Sequence, residues 1–268
     1  MRVSRSTSGE RMASDVTAAA HYDTLALWGR PPDPANAERV ARTQALVPLG
    51  TRTVLDVGCG DGSSSAALLD RVPVVVDLDL SPRALRFVAG VPVAGSITAL
   101  PFPDRSFDVV LAAEVIEHLP ADVMARALAE MGRVAGQWVI VSTPNGERLA
   151  ARQAACARCG RRFHPNWHQR RFTAARHRRL APAGFEWRRT DGVGTWRQSL
   201  VLAAGRRAVG HLVQGDGLTC PHCGHGQVVR PAYNLGQRAG LRLLAMAGPL
   251  VRPRARWIVT AYARRGSA

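Results

Sequence analysis

The chain contains no lysine: all 36 of its basic residues are arginine. With the alanine-rich composition, that bias points to a genome rich in G and C, so part of the high pI reflects mutational drift. No P-loop occurs, and no Ser/His/Asp arrangement for nucleophilic catalysis stands out. No apolar run approaches the roughly 18 residues that a membrane span requires, and no basic-then-apolar segment opens the sequence. The expectation is therefore a soluble, cytoplasmic protein. Cysteine is scarce, with five in 268 residues (Cys59, Cys156, Cys159, Cys220 and Cys223). Without a secretion signal their pattern suggests metal rather than disulfides. Hydrophobic residues make up 46%, enough for a substantial core.

Acidic residues are unevenly spread. Residues 1–140 hold 13 arginines against 16 acids, a balance of −3, whereas residues 141–268 hold 23 against 4, or +19. The second half therefore presents either a solvated basic face or a surface toward something anionic, such as nucleic acid, a phosphorylated substrate or lipid headgroups.

Residues 1–20 read as polar and loose. A helical pattern at 38–49 leads into the short buried-type strand "TVLDV" and a glycine loop. Strands and helices then alternate: a helix at "SSSAALLDRV", a strand at "PVVVDLDL", and a helix at "SPRALRFVAG" with Ser81 as its N-cap. The strand "FDVVLAAEV", the helix "ADVMARALAEMGRVA" and the strand "QWVIVST" follow. This alternation indicates an α/β protein with a mostly parallel sheet flanked by helices. After Pro144 come a cysteine knuckle, a helix at "TAARHRRLAPAG", a strand at "FEWRRTDGV", an apolar helix near 197–212, a second knuckle, a helix near 235–246 and a last strand "RWIVTAYAR". The spacing suggests 1–36 as an N-terminal lid segment and 37–268 as one domain with insertions near 153–170 and 217–228.

"VLDVGCGDG" places Asp56 two residues before Gly58, Gly60 and Gly62. Glycines closing a first strand allow a tight turn and close ligand approach, beside a helix N-terminus that offers free N–H groups. A dinucleotide fingerprint would want glycine at Ser63, so that version fits poorly. Asp79 ends the second strand 19 residues after Gly60, where a carboxylate can accept both hydroxyls of a ribose. Asp77 falls on the opposite face by strand alternation.

The ordered set "VLDVGCGDG", "VDLDLSPRAL", "ALPFPDRSFDVVLAAEVIEHLP" and "VIVSTPN" resembles the class I S-adenosylmethionine-dependent methyltransferases of the type 11/23 kind, over residues 37–190. The resemblance implies a Rossmann-like, mostly parallel seven-stranded sheet and S-adenosylmethionine as cofactor. It would put Asp56, Gly58, Cys59 and Gly60 around the methionine part, Asp79 and Leu80 at the ribose, Ser96 and Ile97 beside the adenine, and Glu114 with Val115 in the pocket after the fourth strand. The family usually has Gly-Asp where this chain has Gly95 and Ser96, so Thr98 or a backbone group would replace the acid. "HYDTLALWG", "STPN" and two C-x-x-C-G units together look like a zinc-knuckle subgroup of these enzymes.

Methyl transfer mainly requires an acceptor held in line and water excluded. For a hydroxyl acceptor, a histidine near neutrality can take the proton. His118 in "EVIEHLP" is one candidate base, its other reading being a helix-start histidine packed under the cofactor. His168 is the second candidate, and His164 and His168 can equally be metal ligands or surface histidines. Tyr22 and Trp28 either cover the cofactor or form a hydrophobic clasp. Cys156, Cys159, Cys220 and Cys223 together make the four-thiolate set of a structural zinc, with Gly160 and Gly224 permitting the tight turns. His164, His222 and His225 are spare ligands. The resulting expectation is methylation of a small-molecule, glycan or lipid-linked acceptor at oxygen, with Arg170 and His168 serving an anionic acceptor. RNA is the alternative substrate, although no RNA module is present and only Trp167, Trp187 and Trp196 could stack bases. "LRLLAMAGPLV", flanked by arginines, reads as a core helix or a membrane-surface segment. Oligomeric state is not legible.

Overall fold

A computed structural model describes residues 22–23, 28–29, 34–197, 200–215, 218–247 and 251–266. Most of the expected N-terminal lid segment lies outside these residues. Helix α1, Pro34–Ala45, precedes the strands β1 (Thr53–Val57), β2 (Val74–Asp79), β3 (Val91–Ala94) and β4 (Phe107–Ala113). Helix α2 (Ala121–Val134) runs directly into β5 (Ala135–Pro144). A two-residue pair follows, β6 (Ala154–Ala155) and β7 (Arg162–Phe163), then α3 (Ala174–Arg178) and β8 (Phe185–Val193). Helices α4 (Leu200–Ala208) and α5 (Leu235–Ala247) come before the last strand, β9 (Trp257–Arg264).

Seven strands form one sheet in the order β3-β2-β1-β4-β5-β9-β8. The pairs among β1 to β5 are parallel, and β9 is antiparallel to both β5 and β8. The sheet is therefore mixed but mostly parallel, as the alternating pattern implied. Alternation along the strands splits the core in two. Leu55, Val57, Val110 and Val139 pack on one face with Met131 of α2, while Val54, Val75, Val109 and Ile140 pack on the other with Val47 and Leu68.

Two expected helices are shorter and tighter than their sequence pattern. Residues 63–72 hold turns and a 3₁₀ segment, Ala66–Asp70. The serines there satisfy their hydroxyls locally: Ser65 Oγ donates to Gly62 O and to Asp77 Oδ1 at 2.6 Å, and Ser63 bonds Asp61. Such side-chain bonds compete with a continuous helical ladder. After β2 only Ala84–Arg86 is 3₁₀, yet Ser81 does cap it, its Oγ accepting from Ala84 N at 3.1 Å. Of the helix expected at 197–212, the described helical part is Leu200–Ala208, and 198–199 lie outside the described residues. The strand read at 185–193 has those bounds.

The chain order reverses between β1 and β4, so the loops beyond the C-terminal ends of these strands border a crevice, the usual ligand position in open α/β sheets. Behind that edge, His177 of α3 is fully buried between Thr143 of β5 and Thr260 of β9, with ring nitrogens 3.0 and 2.9 Å from their hydroxyls. Burial pushes its pKa down to about 3. The unfolded chain takes up this proton near pH 6.5 and the folded chain does not, so His177 removes stability as pH falls below 6.5 toward 3. The expected loss between pH 7 and pH 5 is about 2 kcal/mol, read from denaturant unfolding at both pH values. A His177→Gln variant should lose that increment of pH dependence, and an unchanged slope would contradict the assignment.

Candidate functional site

At the end of β1 the chain turns through three glycines with left-handed φ, Gly58 at 68°, Gly60 at 58° and Gly62 at 76°. This conformation favours glycine, and space enforces it too. A Cβ on Gly58 would lie 2.6 Å from Val115, and one on Gly60 would lie 2.8 Å from the Trp28 ring. Asp79, at the adjacent strand end, holds the loop: its Oδ2 accepts from Gly60 N at 2.9 Å and its Oδ1 from Ser81 N at 2.8 Å. Burial raises its pKa, partly offset by those amides.

Asp56 is fully buried, and neither carboxylate oxygen has a hydrogen-bond partner among the described residues. Burial and the neighbouring Asp77 push its pKa well up, with Ser65 and Arg39 acting in the opposite sense. Cys59 is buried, and desolvation raises its thiol strongly. It is therefore a protonated small apolar side chain in the loop rather than a nucleophile. Leu80 follows Asp79 directly. Ser96 and Ile97 lie just beyond β3; Ile97 is buried, and Ser96 Oγ is 2.9 Å from Thr98 Oγ1. The hydroxyl pair stands where the resembled family usually has an acid, and Thr98 is among the groups expected to replace it.

Of the N-terminal residues, Tyr22, Asp23, Trp28 and Gly29 lie against this loop. Trp28 Nε1 donates to Tyr22 O at 2.8 Å and Gly29 N to Asp61 at 3.1 Å, while Asp23 bonds Ser81. The Tyr22 hydroxyl is raised by burial and by Glu117 and Asp79, which places it between the loop and the end of β4.

Beyond β4, Glu114 adopts a left-handed φ of 62°. Its carboxylate does not face an open pocket: Oε2 accepts from Trp257 Nε1 at 2.8 Å and Oε1 from Ser142 Oγ at 3.3 Å. Burial raises its pKa, and Arg39 and His168 counter that. Glu117 is buried with both oxygens unpartnered among the described residues, and burial plus Glu114 push it well up. Arg39, sent inward from α1, donates to Ser142 Oγ at 3.3 Å. Its charge lowers Asp56, Glu114 and Glu117 together.

His118, His164 and His168 converge. The His118 and His168 ring centroids are 4.7 Å apart at 81°, and the His164 and His168 centroids are 4.7 Å apart at 17°. Glu147, buried after β5, links the latter two: Oε2 lies 2.5 Å from His168 Nδ1 and Oε1 lies 3.3 Å from His164 Nε2. Burial pushes the Glu147 carboxyl up, but the two imidazoles more than offset this and hold it well below the carboxylate range. Burial lowers His164, with Glu147 opposing. Glu147 engages Nδ1 of His168, so Nε2 is the ring nitrogen facing away from that carboxylate. Arg170, expected to face the acceptor, is instead turned into the loop after β4, donating to Leu119 O at 2.6 Å.

The four knuckle cysteines meet. Cys156 Sγ is 3.6 Å from Cys223 Sγ, and Cys159 Sγ is 3.7 Å from Cys220 Sγ. These separations are far from a disulfide and close to the roughly 3.8 Å edge of a tetrahedron with metal–sulfur bonds near 2.3 Å. The donor set thus fits a tetrahedral zinc. Gly160 and Gly224 take φ of 69° and 70° with nothing near a notional Cβ, so the turn alone requires them. Cys159 N approaches Cys156 Sγ at 3.5 Å. That amide lowers the Cys156 thiol to about 6, while burial lifts Cys220 to about 12. Among the described residues the thiol group includes none of the spare histidines; His164 is committed to Glu147.

Fold and glycine loop together define a class I S-adenosylmethionine-dependent methyltransferase fold, carrying a candidate four-cysteine metal cluster. Residues 55–137 match the family described as methyltransferase domain. An uncharacterized methyltransferase of Mycobacterium tuberculosis is 37% identical over 92 residues, covering 32% of this chain and 47% of that protein. The ubiquinone biosynthesis O-methyltransferase of Paracidovorax citrulli is 33% identical over 129 residues, 43% of this chain and 53% of its own length. The chain therefore spans about half the length of these curated relatives. The crystal structure of Burkholderia thailandensis 1,6-didemethyltoxoflavin-N1-methyltransferase shares the fold with a TM-score of 0.53 at 15% identity, covering 98% of this chain and 93% of that one.

Asp79, the glycines and the cysteine pairs were marked by local spacing. Arg39, Glu117 and Glu147 were not singled out from sequence. Glu147 carries one signal that could have found it, since it is one of only 4 acids in the +19 half. Replacing Glu147 with alanine leaves the buried His168 ring without its partner and removes the carboxylate beside His164, and should lower unfolding free energy by about 3 kcal/mol. Denaturant titration checks this, and a loss no larger than that of a Glu186→Ala control at a half-exposed surface pair would contradict the reading.

Proposed function

We propose that this chain transfers a methyl group from S-adenosylmethionine to the oxygen of a small-molecule acceptor, free, glycan-borne or lipid-linked. The observation that carries the reading is the carboxylate of Asp79 locked against the left-handed glycine loop at the reversal point of a class I sheet. The residues fit the cofactor. Asp56 supplies a buried carboxyl with no hydrogen-bond partner among the described residues, Gly58 and Gly60 leave room at the backbone that a side chain would fill, and Asp79 stands at the strand end suited to a ribose. Ser96, Ile97 and Thr98 border the adenine side. Tyr22 and Trp28 close over the loop and exclude water.

The cofactor supplies an already activated methyl on a sulfonium, so the protein's contribution is alignment and proton handling. Glu147 fixes the His168 ring by its bond to Nδ1, and His168 Nε2 receives the hydroxyl proton as the acceptor oxygen attacks. His118, packed edge-on against His168, shapes that wall and is the second candidate for the proton. The likeness to an O-methyltransferase over 129 residues supports oxygen as the acceptor atom. The four cysteines hold a structural zinc, a closed site with no position for substrate.

Calorimetry with S-adenosylhomocysteine should give one site per chain, weakened at least tenfold by Asp79→Ala. Methyl-labelled cofactor incubated with fractionated host extract should then label a small-molecule or lipid fraction. His168→Ala should slow that transfer by roughly 10²- to 10⁴-fold while cofactor affinity stays within about twofold of wild type. No cofactor binding would overturn the activity, and equal loss of binding and transfer would overturn the role of His168.

For the metal, Cys220→Ser should lose zinc by elemental analysis and lower the melting temperature while the variant still binds S-adenosylhomocysteine. Unchanged metal content in that variant would contradict the shared four-thiolate site.

A further inference from the structure

Helices α4 and α5 pack closely through glycine. A Cβ on Gly205 would lie 2.7 Å from Leu244, and one on Gly240 would lie 3.0 Å from Val209; Leu202 is buried beside them. The inner faces of the pair are thus already satisfied. The outer surface nevertheless exposes large apolar side chains: Leu235 at 85%, Leu243 at 66% and Met246 at 73% on α5, and Val201 at 76% on α4. Leu235, Ala239, Leu243 and Met246 follow helical spacing and form one stripe. The exposed Arg238 and Arg242 precede two of its members, and Arg206 and Arg207 are exposed on α4.

Charge completes the pattern. From residue 200 to 256 there are eight arginines and a single acid, Asp216. No helix among the described residues is long and apolar enough to cross a membrane. Helix α5 is about 20 Å long at 1.5 Å per residue, and its apolar stripe bordered by arginine is the arrangement that lies in a membrane interface rather than through it.

We propose that the α4–α5 pair docks this chain on the surface of an anionic phospholipid bilayer. The Leu235–Met246 stripe sinks to the headgroup–acyl boundary, and the arginines pair with phosphates and compensate lipid charge. The pair is tied to the acceptor wall. Helix α4 packs on the turn Leu149–Ala151 just after Glu147, Val213 N donates to Gln153 O at 2.8 Å, and Val229 N donates to Ala155 O at 2.8 Å beside Cys156. Docking therefore brings the His168 side of the crevice to the membrane. It narrows the acceptor to a lipid-linked one, a consequence that rests on the methyltransferase reading; the docking itself does not.

Flotation of the full chain with vesicles tests the docking. Binding is expected to vesicles of equal parts phosphatidylcholine and phosphatidylglycerol, not to phosphatidylcholine alone, and to weaken with added salt. Arg206→Gln, Arg207→Gln and Arg242→Gln combined should weaken it on the order of a hundredfold. Leu243→Ser with Met246→Ser, which leaves charge unchanged, should weaken it on the order of tenfold. All variants should keep wild-type affinity for S-adenosylhomocysteine, which verifies folding and separates this test from that of the activity. Failure of the wild type to bind the mixed vesicles overturns the proposal, as does undiminished binding by the serine variant. Tight binding of transfer RNA, lost in the glutamine variant while vesicle binding is absent, would assign the surface to nucleic acid instead.

Discussion

One carboxylate organises the crevice edge. Asp79 accepts from Gly60 N and Ser81 N, joining the loop after β1 to the turn after β2 at the point where the sheet's connection reverses. The loop's left-handed glycines are held in place by that bond on one side and by Val115 and Trp28 on the other. Near this clamp lie the buried Asp56, whose oxygens have no hydrogen-bond partner among the described residues, and the Ser96–Thr98 hydroxyl pair.

A second carboxylate does comparable work on the opposite wall. Glu147 follows β5 just before the knuckle insertion, bonds His168 and lies 3.3 Å from His164 Nε2. The candidate metal cluster lies in the same insertion, where cysteines about sixty residues apart in the chain meet at sulfur separations of 3.6 and 3.7 Å. The cysteine cluster brings the insertion to the stretch before α5, and Glu147 joins the insertion's His168 to the end of β5.

Legibility in the sequence followed locality. Alternating buried strands, the glycine loop and Asp79 could be read because a strand, its loop and the next strand end are neighbours in the chain and their spacing carries the geometry. The cysteine pairing could be inferred because each half is itself a local motif. Arg39 was not legible: it reaches the site from α1, 103 residues from its partner Ser142, and no local pattern sets it apart from the other arginines. Glu147 lies outside every motif and gains its role only when His164 and His168 fold back on it. The turns after β1 and β2 were read as longer helices because their apolar spacing is helical, while the side-chain bonds of Ser63, Ser65 and Ser81 that draw the backbone into 3₁₀ turns are tertiary or capping effects. Arg170 was misplaced for a related reason, since its basic charge suggested an acceptor contact while its geometry ties Leu119.

The central claim is that the Asp79–glycine clamp is where the nucleoside cofactor binds. Amide hydrogen exchange with and without S-adenosylhomocysteine tests it most directly. Slower exchange on ligand addition is expected at residues 58–62, at Ser81 and at Ile97–Thr98, with α5 unchanged. Unaltered exchange across the glycine loop at saturating ligand, or protection confined to another part of the chain, would contradict the account.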